Sequence, residues 1–262
     1  MFFKCFYAKT TNFILLSIML VFMEEDQRIP TGSQILDSML EGGYEKEVIT
    51  TIYGPAGSGK TVLCLLCSMT IARSGKKVVY VDSEGGFSVD RLKQICSGIS
   101  QDHKKILENI IFLRPVRFDE QKKSFEKLRE LINDKIGLIV VDTIAMLYRL
   151  ELGRSEHIQE VNRELANQIS YLTEITRKNK VPVLITNQVY TDFDERDKVN
   201  IVGGDILKYG SKCLIELQIT PNGNRRAILR KHRSLKEEKE IIFKIVEGGI
   251  AGSAESKGFK LF

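Results

Sequence analysis

Short runs of apolar, mostly β-branched residues bounded by turn residues alternate along the chain with longer stretches whose apolar positions recur at helical spacing. Parallel strands are buried on both faces and are joined by helices, so this alternation predicts a parallel sheet covered by helices. Strands are expected at Val48–Tyr53, Lys77–Val81, Ile110–Leu113, Gly137–Val141 and Pro182–Thr186. Helices are expected at Lys60–Ser74, Val89–Cys96, Glu120–Asn133 and His157–Lys178. After about residue 212 the pattern changes to Cys213–Thr220, Arg226–Lys231 and Glu240–Val246, with Asn222-Gly223-Asn224 as a hairpin turn between the first two. The expected fold class is therefore α/β: a mostly parallel central sheet flanked by helices, with an antiparallel C-terminal extension. Nothing repetitive or linker-like divides the 262 residues. A single domain is expected over 23–250, with 1–22 as an N-terminal extension and 251–262 as a tail.

Composition changes this picture only at the margins. With 43% hydrophobic and 28% charged residues, the chain has the balance of an ordinary globular protein. The apolar stretch FILLSIMLVFM at 13–23, preceded by Lys4 and Lys9, resembles a secretory signal. It is shorter than the roughly 20 apolar residues that cross a bilayer, and no small-x-small cleavage site comes after it. Met23 is the expected start, with 1–22 an upstream artefact or disordered, and no membrane association is expected. Five scattered cysteines point to reduced thiols and a cytoplasmic location. Cys64 and Cys67 lie in the apolar run VLCLLCSMTIA and are expected to be buried structural thiols, not half of a zinc site. The tail GGIAGSAESKGFKLF at 248–262 is expected to be a disordered end, against a docking peptide.

The formal net charge is +5, and the segment from Arg225 to Lys239, with seven Lys/Arg against Glu237 and Glu238, nets +5 by itself. Such a segment is either a surface that meets phosphates or a solvated hairpin, and charge alone does not separate the two.

One motif carries chemistry without help from charge. Gly54, Pro55, Ala56, Gly57, Ser58, Gly59, Lys60 and Thr61 fit G-x-x-x-x-G-K-[ST], with a strand before and an apolar helix after. Glycines let consecutive N–H groups curl towards phosphate oxygens, and the helix N-terminus adds its dipole. Lys60 is expected to neutralise the phosphates of ATP, and Thr61 to hold Mg²⁺ by its hydroxyl. Leu138-Ile-Val-Val-Asp142, 82 residues beyond Lys60, ends a buried strand in a carboxylate and supplies the second Mg²⁺ anchor. Hydrolysis also needs a group that orients or deprotonates water. Just past the second strand, Asp82 and Glu84 compete for that role, and residue chemistry leaves both open.

These segments together resemble the RecA/RadA recombinases over about 225 residues. IPTGSQILDSMLEGGYEKEVIT (29–50) is similar to the opening of their ATPase core, and VVYVDSEGGFSVDRL (78–92) to their strand, catalytic glutamate and next helix. LIVVDTIAMLYR (138–149) resembles their metal-anchoring strand, and VPVLITNQV (181–189) the strand ending in a γ-phosphate-sensing glutamine. The resemblance implies a RecA-like P-loop ATPase core. It makes Glu84 the water-activating base, Gln188 the link from the γ-phosphate to the DNA loops, and Arg91 a platform for adenine. Two segments correspond to DNA-holding loops: Arg149–Ile158, where Arg154 matches a Gly-Arg pair, and Val189–Gly204.

Departures from the family narrow the expectation. The second loop is acidic, Val189–Val202 netting −2, and a loop that repels phosphate makes a poor strand-exchange device. Only some 28 residues precede the core, too few for the helix-hairpin-helix domain of RadA, and the Phe-x-x-Ala filament segment is not visible. Lys231-His232-Arg233 looks like the K-x-R with which related ring ATPases reach a neighbour's ATP. The truncated pattern resembles the RadB family of archaeal recombinase paralogues. That resemblance implies ATP binding with weak hydrolysis, DNA binding with little or no strand exchange, and an accessory role in recombinational repair. The expected DNA contacts are Arg154, Arg225, Arg226, Arg230, Lys231 and Arg233. The partners it implies are DNA, RadA recombinase, a Holliday-junction resolvase, replicative polymerase components and a second copy of the chain. The alternatives are an active strand-exchange recombinase and a KaiC-like signalling ATPase that binds proteins in place of DNA.

Overall fold

The computed structural model describes residues 27–97, 103–154, 156–191 and 199–253. The apolar stretch at 13–23, which ends in Met23, the segment 192–198 with its four acidic residues, and the tail beyond 253 lie outside the described residues. In chain order the elements are β1 (Arg28–Ile29), α1 (Gln34–Met39), β2 (Tyr44–Glu45), β3 (Ile49–Tyr53), α2 (Lys60–Arg73), β4 (Lys77–Asp82), α3 (Val89–Ser97) and α4 (His103–Glu108). Then come β5 (Ile110–Leu113), α5 (Phe118–Leu131), β6 (Ile136–Asp142), α6 (Met146–Leu152), α7 (Ile158–Asn179), β7 (Val183–Asn187), β8 (Val189–Thr191) and β9 (Val199–Ile201). The last are α8 (Gly204–Gly210), β10 (Cys213–Ile219), β11 (Arg225–His232), β12 (Glu240–Val246) and β13 (Gly249–Gly252).

Nine strands form one sheet in the order β13-β12-β11-β10-β3-β7-β6-β4-β5. The six from β10 to β5 are parallel, and β11, β12 and β13 continue antiparallel from β10. The expected α/β architecture and its antiparallel extension are thus present. Side-chain alternation sorts the core into two layers. Val78, Tyr80, Leu138 and Val140 face α2 and α3, whereas Val79, Val81, Ile139 and Val141 face α5 and α7. Helix α2 is buried almost all round, which is why VLCLLCSM carries no polar face to read.

Expected boundaries fall within about two residues of those observed. The largest shift is in α5, which begins at Phe118, a buried residue, and stops where Ile132 turns extended. The short pieces β1, β2, α1, α4, α6, α8, β8, β9 and β13 are additions to the expected elements. Because the parallel strands run one way, the chain ends of β3, β4, β6 and β7 meet along a single sheet edge, where ligands of open α/β sheets bind.

Candidate functional site

The loop after β3 is shaped by what its glycines permit. A Cβ on Gly54 would stand 2.3 Å from the Leu217 carbonyl oxygen, so only glycine lets the end of β3 lie this close to β10. Gly57 and Gly59 have φ of +72° and +101°, the left-handed region. The curl carries Lys60 inward: its ammonium, on a side chain 8% exposed, donates to the carbonyls of Gly54 and Pro55, both at 2.9 Å. Burial lowers the Lys60 pKa, against the pull of Glu84 and Asp142. No carboxylate lies within hydrogen-bonding distance of that cation among the described residues. The Ser58 hydroxyl in the same loop is buried with no hydrogen-bond partner, and the first turn of α2 carries no acidic residue. A buried cation with only neutral partners, an unpartnered hydroxyl and an open helix N-terminus together fit a phosphate group.

Asp142 ends β6 at 1% exposure. Its Oδ2 accepts from the Tyr80 hydroxyl at 2.8 Å and its Oδ1 from the Thr186 hydroxyl, so neighbouring strands on both sides hold the carboxylate. A Cβ built on Gly86 would stand 3.5 Å from the Thr61 hydroxyl and 3.9 Å from Asp142 Oδ2. The hydroxyl and the carboxylate therefore flank one small gap that a glycine leaves open. A hard oxygen-seeking cation such as Mg²⁺ suits that donor pair.

The two carboxylates left open by the sequence have different surroundings. Asp82 accepts the backbone N–H groups of Gly86 at 3.0 Å and Phe87 at 3.3 Å, so it shapes the loop. Glu84 Oε1 accepts from the Gln188 amide at 2.7 Å and the Thr143 hydroxyl at 3.2 Å. Loss of water around Glu84, then the charge of Asp142, raise its pKa above the ordinary carboxylate value. Gln188 also ties the sheet edge to the segment around Val202. Val202 donates its N–H to the Gln188 carbonyl, and the Asn187 amide donates to the Val202 carbonyl at 2.6 Å.

The remaining expected residues lie further out. Arg91 donates to the carbonyls of Val246 at 2.5 Å and Glu247 at 3.1 Å, which fastens α3 to the β12–β13 turn. Arg154 is exposed at the rim of a cavity of about 910 Å³ shared with Arg163, His157, Leu150 and Val116.

The basic hairpin presents less free charge than its composition implies. Arg226 pairs with Glu240, Arg230 with Glu216 at 2.6 Å and Glu238 at 2.7 Å, Arg233 with Glu45 at 2.6 Å, and Lys239 with Glu41. Lys231 donates to the carbonyls of Lys208 and Ser211 at the end of α8. A count within 225–239 cannot see Glu45, Glu41, Glu216 or Glu240, which the fold brings in from elsewhere. Arg225 points away from these pairs: its Nε donates to the Gly57 carbonyl of the phosphate loop at 3.0 Å.

Sequence reasoning missed Tyr80 and Thr186, the two hydroxyls that hold Asp142. The available signal was a tyrosine and a threonine within the apolar runs VVYV and VLIT of β4 and β7. Cys64 and Cys67 are buried free thiols whose pKa values burial pushes up. Among the described residues no cluster of three or more His, Cys, Asp or Glu could hold a metal, and no helix is long and apolar enough to cross a membrane.

Comparison with known proteins finds relatives over most of the chain. Residues 24–253 match the family described as Rad51. The chain is 43% identical over 233 residues to the DNA repair and recombination protein RadB of Methanobrevibacter smithii, covering 87% of this chain and 97% of that one. It is 43% identical over 221 residues to the protein of the same name from Methanocaldococcus jannaschii, covering 82% and 98%. A solved structure described as the RadB recombinase superposes with a TM-score of 0.73 at 37% identity, covering 85% of this chain and 98% of the other.

Proposed function

The chain belongs to the Rad51 family and is a RadB relative within it, and from that premise we propose that it is an ATP-binding, DNA-binding accessory protein of recombinational repair with weak ATPase activity. The observation that carries the nucleotide reading is the buried Lys60 ammonium, held by two loop carbonyls and, among the described residues, by no carboxylate, opposite the Thr61–Asp142 pair. A triphosphate supplies the missing negative charge, and magnesium bound with it spreads that charge further. Lys60 exchanges its carbonyl partners for phosphate oxygens. The backbone N–H groups of 57–61 and the α2 N-terminus cradle the remainder. Thr61 and Asp142 hold the cation, Asp142 kept in place by Tyr80 and Thr186.

Glu84 would accept a proton from attacking water, and its raised pKa suits a base that must hold that proton. Its Oε1 is bonded to Gln188 and Thr143, so Gln188 joins the base to the 199–202 segment and leaves Oε2 to face water. A base coupled through Gln188 to that segment depends on where the segment sits, which suits slow turnover and a nucleotide that acts mainly as a conformational ligand.

DNA contact is assigned to Arg154 with Arg226, Arg230, Lys231 and Arg233. Because Arg226, Arg230 and Arg233 are paired with carboxylates, DNA must displace internal partners, so binding should be moderate, with a salt dependence set by the phosphates actually neutralised. Two measurements test the proposal together. ATP turnover should be slow, nearly unchanged by DNA, and lost in Lys60→Ala. Substituting Arg226, Arg230, Lys231 and Arg233 by alanine should lower the slope of log affinity against log salt by about 0.7–0.9 per lost phosphate contact. Strong DNA stimulation with regular filaments would replace this reading by strand exchange, and an unchanged salt slope would remove the hairpin from the DNA surface.

A further inference from the structure

Arg225 differs from the other hairpin arginines in the chemistry of its partners. Arg226, Arg230 and Arg233 each bond a carboxylate, whereas Arg225 donates Nε to the Gly57 carbonyl at 3.0 Å and Nη1 to the Gly223 carbonyl. Its charge is therefore not compensated by these contacts, and it lies against the loop that curls round the expected phosphates. The platform beneath it is fixed by backbone bonds. The Thr220–Asn224 turn is closed by Thr220 N–H to Asn224 O and Gly223 N–H to Thr220 O, both at 2.9 Å, and Asn224 is buried. Arg225 pairs in register with Ile219 on one side and Phe243 on the other. From the same extension, Ile245 Cδ1 comes within 3.2 Å of the position a Gly59 Cβ would take. Two strands of the antiparallel extension thus touch the phosphate loop at Gly57 and Gly59.

Peptide planarity converts that contact into a function. The Gly57 carbonyl and the Ser58 N–H belong to one trans peptide and point in opposite directions. A guanidinium that fixes the carbonyl on the outer side of the loop holds the Ser58 N–H towards the inner side, where it donates at 3.3 Å to the Pro55 carbonyl that Lys60 also bonds, and polarises it as a donor that a phosphate oxygen can take over. Gly57, with its positive φ and no neighbour within 4 Å of its Cβ position, is the residue about which this peptide could otherwise rotate.

We propose that Arg225 is a positioning residue of the phosphate loop, which orients the 57–58 peptide towards the nucleotide and adds an uncompensated positive charge beside it, in place of a DNA contact. The proposal rests on the ATP-binding reading above.

The test measures magnesium-dependent binding of ATP and ADP by displacement of a fluorescent ATP analogue, for the full chain and for Arg225→Ala, Arg225→Lys, Arg226→Ala and Lys60→Ala. Arg225→Ala should weaken ATP and ADP alike by about tenfold, the weight of one charge-assisted hydrogen bond, because both nucleotides carry the phosphate this peptide faces. Arg225→Lys should recover part of the loss by its charge, and Arg226→Ala should leave nucleotide affinity unchanged. Turnover at saturating ATP should stay within about twofold for Arg225→Ala, so that the effect appears in KM and not in kcat. The melting temperature without nucleotide and the DNA affinity without nucleotide should both match the unsubstituted chain. Unchanged ATP affinity in Arg225→Ala and Arg225→Lys, with loss in Lys60→Ala, would overturn this proposal alone. So would a drop in DNA affinity equal to that of Arg226→Ala. A chain that retains no ATP before any substitution would overturn both this proposal and the reading beneath it.

Discussion

Replacing Tyr80 by phenylalanine isolates one atom of the Asp142 support. The ring is retained, together with its edge contact to Phe87 (centroids 5.1 Å) and its contact to Phe112 (6.0 Å), so apolar packing changes little. What is lost is the hydroxyl that donates at 2.8 Å to a carboxylate 1% exposed. A hydrogen bond to a buried charge is worth about 1.5–3 kcal/mol once the stranded partner is counted. For a domain of this size that corresponds to a fall in Tm of roughly 4–8 °C for a loss of about 2 kcal/mol. Urea unfolding should show a lower midpoint with an unchanged slope. Asp142→Asn supplies the second edge of a double-mutant cycle. Because Tyr80 and Asp142 touch, the two losses should fall short of additivity by about 1–2 kcal/mol. Tyr44→Phe is the matched control: Tyr44 is equally buried but its hydroxyl has no hydrogen-bond partner, so its removal should be neutral or stabilising. A Tyr80→Phe protein as stable as its parent, or a strictly additive cycle, would refute the claim that Asp142 is a charged group held by hydroxyls.

The same geometry fixes further outcomes. Glu84→Gln should keep ATP binding and lose about 10²–10⁴-fold in turnover, measured by phosphate release. The same variant should unfold at higher temperature than its parent at pH 7. The folded-state pKa of Glu84 lies above its ordinary 4.5, so its ionisation costs stability as pH rises through that folded value, and the advantage of glutamine should vanish below about pH 4.5. Gly54→Ala places a Cβ 2.3 Å from the Leu217 carbonyl oxygen, forcing β3 from β10; it should destabilise by about 1–3 kcal/mol in denaturant melts and weaken ATP as well. Replacing the paired hairpin cations should reduce salt sensitivity, read by gel shift over a salt series, and Arg225→Ala should leave that slope unchanged.

Sequence and structure agree most closely where chemistry demands neighbours in the chain. A loop that holds phosphate must be contiguous, because consecutive N–H groups have to converge on one anion, and so the proposed loop Gly54–Thr61 is legible directly. Asp142 is legible as a carboxylate at the end of an apolar run. Its supports are not, since Tyr80 and Thr186 reach it only through the lateral order β4-β6-β7 of the sheet. The hairpin shows the opposite case. Its local charge is a plain count, but Arg233 meets Glu45 across 188 residues and Arg226 meets Glu240 across the β11–β12 pairing, so composition overstates the free charge. Short helices such as Gln34–Met39 and His103–Glu108 have less than two turns, too few for periodicity to register, and exist because tertiary contacts hold them. The choice between Asp82 and Glu84 turns on which carboxylate faces the loop backbone, and only the folded chain shows that.

The central claim is that Lys60, Thr61 and Asp142 hold a magnesium-bound triphosphate at the sheet edge. Equilibrium binding of ATP by the intact chain, with magnesium and with a chelator, tests it most directly alongside Lys60→Ala and Asp142→Asn. The account predicts saturable binding that weakens when magnesium is removed, is lost in Lys60→Ala, and becomes insensitive to magnesium in Asp142→Asn. Binding unaffected by Lys60→Ala, or no binding by the intact chain in magnesium, would contradict it.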